Sequence, residues 1–305
     1  MPPAGVLRIS TYGDSYTHGD DVSNDETWQA VMEKLDPSME VLNFGVWGYG
    51  LDQALLRYQN EGAQYKPHVV FIGFMTWDIL RHVNNFRPFY SENTNIPLTK
   101  PRFAIEDDEL FLIPNPISEL EGYRRLLNKP SDVLPGIGLN DYYYPKRYHS
   151  SVFDFSPTVR LIRLIAGKLR SGNSHKMDFV ANGYYDTSSE AYRITVQIFD
   201  RFYHEALKND SIPIILIFPT VESMLTYKKD KIKVYAPLLS YFDSRNYRYI
   251  DLMDAFEEVD VNKINDDRCT ALSKHYSPAA NKIVGEYIYQ YIIASGIMKE
   301  VSVGQ

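Results

Sequence analysis

The chain has 305 residues, of which 44% are hydrophobic and 23% are charged, a composition typical of a globular protein with a full core. Its 39 acidic and 32 basic residues give a formal net charge of −7. This acidic balance argues against a nucleic-acid-binding surface, which requires a concentrated basic patch. Cys269 is the single cysteine, so no disulfide bond forms within the chain, and the apolar runs are too short for an integral membrane span.

The start of the sequence bears on the cellular location. The first strand-like segment begins near Leu7, and neither a basic region nor a long apolar region precedes it, although both mark a secretory signal peptide. The sequence therefore predicts a cytoplasmic location by default, and a periplasmic or surface-associated one if a leader was removed. No pattern in the sequence indicates an oligomeric state.

The first part of the chain alternates strand-like and helix-like segments. Alternation at this spacing predicts a parallel sheet with helices on both faces. The third strand is an almost unbroken apolar run, which is typical of a strand covered on both faces. The predicted strands are 6–11, 40–44 and 69–75, and the predicted helices are 27–35 and 51–58.

The alternation stops between residues 86 and 182. Proline and polar residues are frequent there, and the patterns predict only a hairpin over 103–113 and an amphipathic helix over 158–169. A segment of this length without structure of its own is unusual in a compact fold. We therefore interpret it as an insertion, a lid or substrate-binding cap, within a single domain of residues 1–305.

Alternation resumes after the insertion. Ser277 is placed to cap the last helix, with Pro278 at its first position, because proline is favoured where the helix still lacks amide partners. The remaining predicted helices are 188–208, 231–242 and 277–294, and the remaining strands are 213–218 and 247–252.

Two glycine-containing blocks follow the first two strands. Gly13-Asp14-Ser15-Tyr16-Thr17-His18-Gly19 places a serine where open α/β sheets bind ligands, although a helix-capping turn is an equal interpretation of these residues alone. Asn43-Phe44-Gly45-Val46-Trp47-Gly48-Tyr49-Gly50 lets backbone amides approach an anion, or forms a loop without a ligand. Its spacing does not fit a dinucleotide-binding fingerprint.

Two further blocks lie at a strand end and before the last helix. Gly73-Phe74-Met75-Thr76-Trp77-Asp78 ends the third strand, and His275-Tyr276-Ser277-Pro278 precedes the closing helix. A histidine at that place is well positioned to reach the carboxyl edge of the sheet. The absence of an HExxH pattern, a cysteine pair or a Walker loop predicts neither a metal nor a cofactor.

Together, in this order, the four blocks resemble those of the SGNH hydrolase superfamily of GDSL-like esterases. The resemblance covers about residues 6–85 and 185–295. It implies a three-layer αβα fold with a five-stranded parallel sheet of flavodoxin-like type and an inserted cap region. It also implies that Ser15 is the nucleophile, that His275 is the general base, and that the backbone N–H groups of Ser15 and Gly48 form an oxyanion hole.

The sequence departs from the family pattern at two positions. Trp77 stands where the family has an asparagine that donates to the oxyanion. That donor is replaced either by the indole N–H of Trp77 or by the side-chain amide of Asn84 or Asn85. Alternatively, Trp77 forms a wall of the acyl pocket. The family's acid before the histidine is also absent, which leaves Asp267 and Asp78 as candidates for the third catalytic residue, or a Ser–His dyad. Trp77, Asp14 and Trp47 are the predicted substrate-binding residues.

The leading functional prediction is a serine esterase that removes a short acyl group, acetyl above all, from a small-molecule or glycan ester. One alternative is an O-acyltransferase that passes the same acyl-serine to a sugar hydroxyl, which requires a cap that excludes water. The other alternative is a non-catalytic ligand-binding protein on a degenerate SGNH fold, which the two departures motivate.

Overall fold

A computed structural model of the protein describes residues 2, 5–91, 94–147, 178–261, 264 and 275–303. The chain divides into two compact units. Residues Met1–Asp78 and Thr195–Gln305 form the first, the sheet unit, and residues Ile79–Ile194 form the second, the inserted unit.

The described strands and helices are numbered in chain order. The strands are β1 (Leu7–Tyr12), β2 (Met39–Asn43), β3 (Val69–Met75), β4 (Arg102–Glu106), β5 (Glu109–Ile113), β6 (Val180–Ala181), β7 (Tyr184–Tyr185), β8 (Ile212–Phe218) and β9 (Tyr249–Asp251). The helices are α1 (Ser15–His18), α2 (Trp28–Leu35), α3 (Leu51–Glu61), α4 (Leu120–Asn128), α5 (Pro130–Gly138), α6 (Tyr144–Arg147), α7 (Glu190–Lys208), α8 (Val221–Asp230), α9 (Ala236–Arg245), α10 (Pro278–Ala294) and α11 (Ile297–Val303).

The sheet unit is built on a five-stranded sheet in the order β2-β1-β3-β8-β9. Every neighbouring pair is parallel. Counted along the chain, these strands have the order 2-1-3-4-5, which is that of the flavodoxin-like doubly wound fold. The predicted fold class is therefore confirmed, and the carboxyl ends of β1 and β3 lie side by side next to the point where the strand order reverses.

Helices cover both faces of this sheet. Phe71 and Phe74 of β3 are separated by an odd number of positions and therefore point to opposite faces. Phe71 packs against Trp28 of α2, with ring centroids 6.2 Å apart, whereas Phe74 packs edge-on against Phe199 of α7 at 5.7 Å. All seven residues of β3 are buried, as expected for a strand covered on both sides.

The helix boundaries follow local signals that the sequence contains. Thr27 caps α2 by accepting a hydrogen bond from the Ala30 N–H, and Ser277 caps α10, which has Pro278 at its start. The predicted helix over 231–242 is wrong at its beginning. Lys231 adopts a left-handed conformation with φ of 56° and ends the preceding helix α8, so the next helix, α9, begins at Ala236.

The inserted unit contains the predicted hairpin, formed by β4 and β5 in antiparallel register. Its turn residues Asp107 and Asp108 both have positive φ, as a two-residue type I′ hairpin turn requires. Helices α4, α5 and α6 and the short pair β6–β7 were not predicted. The elements β6, β7 and α6 are only two to four residues long, and α5 contains two prolines, so none of these shows a clear period. Helix α4 does have apolar residues at helical spacing, Leu120, Tyr123 and Leu127, and the prediction missed it. The predicted helix over 158–169 lies outside the described residues.

A buried arginine contacts several polar groups within the inserted unit. The guanidinium of Arg102 donates to the carbonyl oxygens of Val83 and Asn140 at 2.9 and 2.8 Å and pairs with Glu190.

The domain limits predicted from the sequence stay predictions: a single domain over residues 1–305 with an insertion over 86–182. The compact units of the structure divide at residues 78/79 and 194/195. Within the described residues, no helix has the length and apolar character needed to cross a membrane.

Candidate active site

The turn after β1 presents Ser15 at the start of the single-turn helix α1. Asp14 caps this helix, because its Oδ1 accepts a hydrogen bond of 2.9 Å from the Tyr16 N–H. The helix ends at Gly19, whose φ of 83° is left-handed and whose N–H donates to the Ser15 carbonyl. Capping at both ends holds four residues in a helical turn that is too short to be stable alone.

Thr17 fixes the turn onto the sheet by a close approach to two glycines. A Cβ atom at Gly13 or at Gly73 would lie 2.1 Å from Thr17 Oγ1, which is inside contact distance. Gly73 belongs to β3, the strand that pairs with β1. Only glycine at both positions therefore lets α1 lie directly on the ends of these two strands.

Ser15 and His275, 260 residues apart, meet at this edge of the sheet. Ser15 Oγ lies 2.8 Å from His275 Nε2, and both residues are buried, with exposures of 4% and 7%. The ring of Tyr16 packs edge-on against His275 at 5.4 Å and against Tyr276 at 4.9 Å. Tyr276 donates its hydroxyl hydrogen to the Pro219 carbonyl, 2.6 Å away, just after β8.

Asp21 lies on the other nitrogen of the same imidazole. Its Oδ2 is 2.9 Å from His275 Nδ1, and the Asp21 side chain is about four-fifths buried, with 21% exposed. Asp21 has φ of 71°, a left-handed conformation that aspartate tolerates better than most residues. A carboxylate on Nδ1 places the ring hydrogen there and leaves Nε2 to accept the hydroxyl hydrogen of Ser15.

Sequence reasoning missed Asp21. Of the two acids predicted from the sequence, Asp267 is outside the described residues, and Asp78 is fully buried three residues after the end of β3. The available signal was the position of Asp21 only six residues after Ser15, on the chain segment that leaves the nucleophile turn. The carboxylate found on His275 Nδ1 therefore comes from a residue near the serine in the chain, and not from one just before the histidine.

The loop that carries Gly48 is bound to the end of β1. The Val46 N–H donates to the Gly13 carbonyl at 3.0 Å, and the Tyr49 N–H donates back to Val46 at 3.1 Å. Gly48 has φ of 78° at the third position of the turn 46–49, which defines a type II turn that favours glycine. The loop therefore runs alongside the turn that presents Ser15.

Gly45 tightens the same contact. A Cβ atom on Gly45 would lie 2.3 Å from the backbone nitrogen of His18, so the loop packs directly on the backbone of α1.

The side chain of His18 is half exposed, and its Nδ1 lies 2.5 Å from Asp20 Oδ1. This hydrogen bond raises the pKa of the His18 imidazole. The adjacent residues Asp20 and Asp21 are therefore each paired with a different histidine.

The predicted substrate-binding residues occupy three different settings. Asp14 is buried and serves as the cap of α1. Trp77 is half-buried two residues after β3, and its backbone N–H lies 3.1 Å from Met75 Sδ. Trp47 is 49% exposed in the turn that carries Gly48, an unusual degree of exposure for so large an aromatic side chain.

The amide of Asn84, one of the alternative oxyanion donors, is engaged within the inserted unit. Its Nδ2 donates to the Phe86 carbonyl at 2.9 Å and to Asp141 Oδ2 at 2.8 Å. The Asn85 backbone N–H donates to the same carboxylate oxygen at 2.6 Å. Burial raises the pKa of Asp141, whereas hydrogen bonds from backbone N–H groups, that of Asn85 among them, lower it. Asn84 therefore has a structural role in this loop.

The fold and the site define a flavodoxin-like α/β protein with a Ser–His–Asp constellation at the carboxyl edge of its sheet. No family model matches the chain, and no curated protein matches it by sequence. Among solved structures, it is similar to a putative lipolytic protein of the G-D-S-L family from Desulfitobacterium hafniense, with 14% identity, 93% of this chain and 98% of that chain covered, and a TM-score of 0.45.

Two further solved structures are similar to the same degree. A member of the lipolytic protein G-D-S-L family from Veillonella parvula shares 13% identity over 93% of this chain and 96% of its own, with a TM-score of 0.44. A lipase/acylhydrolase from Enterococcus faecalis shares 12% identity over 94% of this chain and 95% of its own, with a TM-score of 0.45.

Proposed function

We propose that this protein is a carboxylic ester hydrolase that uses Ser15 as nucleophile, His275 as general base and Asp21 as the acid that orients the histidine. The observation that carries the proposal is the hydrogen-bonded series of Asp21 Oδ2, His275 Nδ1, His275 Nε2 and Ser15 Oγ, with heavy-atom distances of 2.9 and 2.8 Å. A serine hydroxyl is a weak nucleophile unless a base within this distance accepts its hydrogen.

The reaction follows from these positions. Ser15 Oγ forms a bond to the acyl carbon while His275 Nε2 takes the hydroxyl hydrogen, and the former carbonyl oxygen becomes an oxyanion. The backbone N–H groups of Ser15 and Gly48 stabilise that charge. His275 then transfers its hydrogen to the alcohol oxygen, the ester C–O bond breaks, and the acyl group remains on Ser15.

Water completes the cycle. His275 removes a hydrogen from a water molecule as the water oxygen attacks the acyl-serine carbon, and the second oxyanion forms in the same place. The bond to Ser15 Oγ then breaks, Oγ recovers the hydrogen from His275, and the carboxylic acid leaves. The Asp21 side chain orients His275 and stabilises the imidazolium that forms in each half of the reaction.

The acyl group in this proposal is short, acetyl above all, and the alcohol is a carbohydrate. The half-buried indole of Trp77 after β3 supports a short acyl pocket, because an aromatic wall fills the volume that a longer chain needs. The exposed indole of Trp47 beside Gly48 supports an amphipathic alcohol such as a sugar, because the C–H face of a sugar ring packs well on an aromatic face.

The test combines an ester substrate with a covalent probe. The protein is incubated with p-nitrophenyl acetate and separately with a fluorophosphonate, and the labelled peptide is identified by mass spectrometry. We expect turnover of the ester and labelling at Ser15, both lost in Ser15→Ala. Ser211→Ala is the matched control. Ser211 is as buried as Ser15, but it lies just before β8, at the opposite edge of the sheet, where its hydroxyl donates a hydrogen bond to the Pro67 carbonyl.

The outcomes are distinct. Absence of both turnover and labelling in the wild-type protein contradicts the hydrolase. Labelling at Ser15 with slow release to water, accelerated by added sugar hydroxyls, indicates acyl transfer instead. Retention of full activity by Ser15→Ala removes Ser15 from the mechanism.

A further inference from the structure

Helix α2 begins with a residue that contacts the nucleophile turn. The indole N–H of Trp28 donates to the carbonyl oxygen of Tyr16, the residue after Ser15, at 3.3 Å. Trp28 is fully buried, and its ring lies against Phe71 and Phe218 of the sheet, with centroids 6.2 and 6.3 Å away. The indole is therefore fixed by packing, and the hydrogen bond fixes the backbone of α1 relative to the sheet.

The next residue of α2 makes a second bond to the same turn. The side-chain amide of Gln29 donates to the Thr17 carbonyl at 2.6 Å, and Gln29 is 2% exposed. Two consecutive side chains of α2 thus hold two consecutive carbonyl groups of α1. A buried hydrogen bond of this kind confers geometric specificity, since breaking it leaves both polar groups without compensation.

Trp28 also contacts the segment that carries the histidine. Its backbone N–H, one of the first-turn amides of α2 that have no partner within the helix, donates to Asn281 Oδ1 at 3.3 Å. The Asn281 side-chain nitrogen donates to the carbonyls of Tyr276 and Ser277 at 3.1 and 3.2 Å. Asn281 is 1% exposed, so its carboxamide is desolvated and hydrogen-bonded to the backbone on both sides.

These bonds form one continuous path between the two reacting side chains. It runs from Ser15 through the Tyr16 carbonyl to the indole of Trp28, and from the Trp28 backbone through Asn281 to the Tyr276 carbonyl beside His275. We propose that Trp28 and Asn281 are positioning residues that set the separation and angle between Ser15 Oγ and His275 Nε2. The inference rests on the proposed function, because it concerns the geometry of that same pair.

A purely structural role for Asn281 makes a different prediction. If its carboxamide only caps a loop, its removal lowers stability and leaves the reactivity of each folded molecule unchanged. A misplacement of about 1 Å between reacting groups costs on the order of 10²-fold in rate, so a positioning role lowers kcat at nearly constant KM. The two roles therefore differ in a measurable quantity other than the melting temperature.

The experiment compares Asn281→Leu, Trp28→Phe and Ser211→Ala with the wild-type protein. Asn281→Leu removes the carboxamide at similar volume, Trp28→Phe removes the indole N–H but keeps an aromatic ring, and Ser211→Ala removes a buried side-chain-to-backbone bond far from Ser15. For each, we measure the fluorophosphonate labelling rate at Ser15, kcat and KM on p-nitrophenyl acetate, and the ring ¹⁵N chemical shifts of His275, assigned with His275→Gln.

We expect a loss of about 10- to 100-fold in kcat and in labelling rate for Asn281→Leu and Trp28→Phe, with KM within about threefold, altered His275 ring shifts, and no such change in Ser211→Ala. Wild-type labelling rates and unchanged ring shifts in both variants overturn the inference. If Asn281→Leu does not fold, Trp28→Phe decides. If the wild-type protein neither labels nor hydrolyses esters, the hydrolase proposal fails, and the His275 ring shifts alone decide the positioning role.

Discussion

The carboxylate of Asp21 lies 2.9 Å from Nδ1 of His275, although 254 residues separate the two in the chain. Asp21 follows the turn that presents Ser15 and precedes α2, so in the proposed triad the acid and the serine come from one segment and the base from another. The His275 imidazole lies between two residues of that same segment.

The first prediction concerns this acid. Asp21→Asn leaves the side-chain shape but offers an amide to Nδ1, which favours the wrong imidazole tautomer, and in a known serine protease the equivalent change lowers kcat by about 10⁴-fold. We expect a loss of about 10²–10⁴-fold in kcat on p-nitrophenyl acetate, measured on folded protein, with little change in KM.

The adjacent residue supplies the control for Asp21. Asp20→Asn changes a neighbouring carboxylate that pairs with His18, and we expect kcat within about threefold of wild type. Asp78→Asn and Asp267→Asn complete the series. A large loss in either of these, together with a mild effect of Asp21→Asn, assigns the acid to that residue instead.

The second prediction concerns Gly48. Its φ of 78° is left-handed, so Gly48→Ala strains the turn and displaces the N–H group that the mechanism assigns to the oxyanion. Loss of one oxyanion donor costs about 10²–10³-fold in rate, and we expect kcat/KM to fall by about that factor.

Gly296→Ala separates strain from position. Gly296 has φ of 74° and open space around the position of a Cβ atom, so the backbone strain is similar but the site is in the C-terminal segment between α10 and α11. We expect Gly296→Ala to lower the melting temperature and to leave kcat/KM unchanged. Equal losses of activity in the two variants contradict an oxyanion role for the Gly48 loop.

The third prediction concerns Trp77. As a wall of the acyl pocket, its indole restricts the site to short chains, so the wild-type protein should prefer p-nitrophenyl acetate to the octanoate by more than about tenfold, and Trp77→Asn should gain on longer esters. As an oxyanion donor, Trp77 should instead be sensitive to Trp77→Phe, which lowers the rate on every ester by a similar factor. A flat chain-length profile in all three proteins removes Trp77 from the mechanism.

The fourth prediction concerns an ion pair at the carboxyl end of β9. Lys233 Nζ lies 2.6 Å from Asp251 Oδ2 and 2.8 Å from Asp254 Oδ1, and the hydroxyl of Tyr235 donates to Asp251 Oδ1 at 2.8 Å. Burial raises the pKa of Asp251 more than Lys233 lowers it. Burial lowers the pKa of Lys233, but its two carboxylate partners raise it overall.

Removing the cation should make stability depend on pH. Lys233→Met leaves the Asp251 carboxylate buried with one partner fewer, which costs about 3 kcal/mol at neutral pH. In this variant, the pKa of Asp251 in the folded state lies further above its pKa in the unfolded state. Between these two pKa values the folded state binds more protons than the unfolded state, so the free energy of unfolding falls as the pH rises through that interval.

Denaturant unfolding at several pH values checks this sign. We expect the deficit of Lys233→Met relative to wild type to be largest at pH 7 and to shrink as the pH is lowered towards the unfolded-state pKa of an aspartate, about 4. The double variant Lys233→Met with Asp251→Asn should recover stability at pH 7, because no buried charge remains. A deficit that is constant with pH, and is not relieved by the second substitution, attributes the effect to lost packing of the lysine stem instead.

The sequence by itself determined the sheet and the place of the turn that presents Ser15. The strands are recognisable because a parallel sheet covered on both faces needs continuous apolar runs, and β3 is one. Asp14 and Gly19 specify the turn after β1, since a one-turn helix needs caps at both ends, and Ser277 with Pro278 marks the start of the last helix. These are local requirements, and local sequence records them.

Tertiary structure alone decided which acid faces His275 and what holds the histidine beside the serine. Trp28 and Asn281 carry no local signal, and Asp21 carries only its closeness to Ser15 in the chain, because each contacts a partner brought to it by the order of the strands. The sheet places the turn after β1 next to the loop before α10, and only then does one carboxylate among many lie within hydrogen-bond distance of His275 Nδ1.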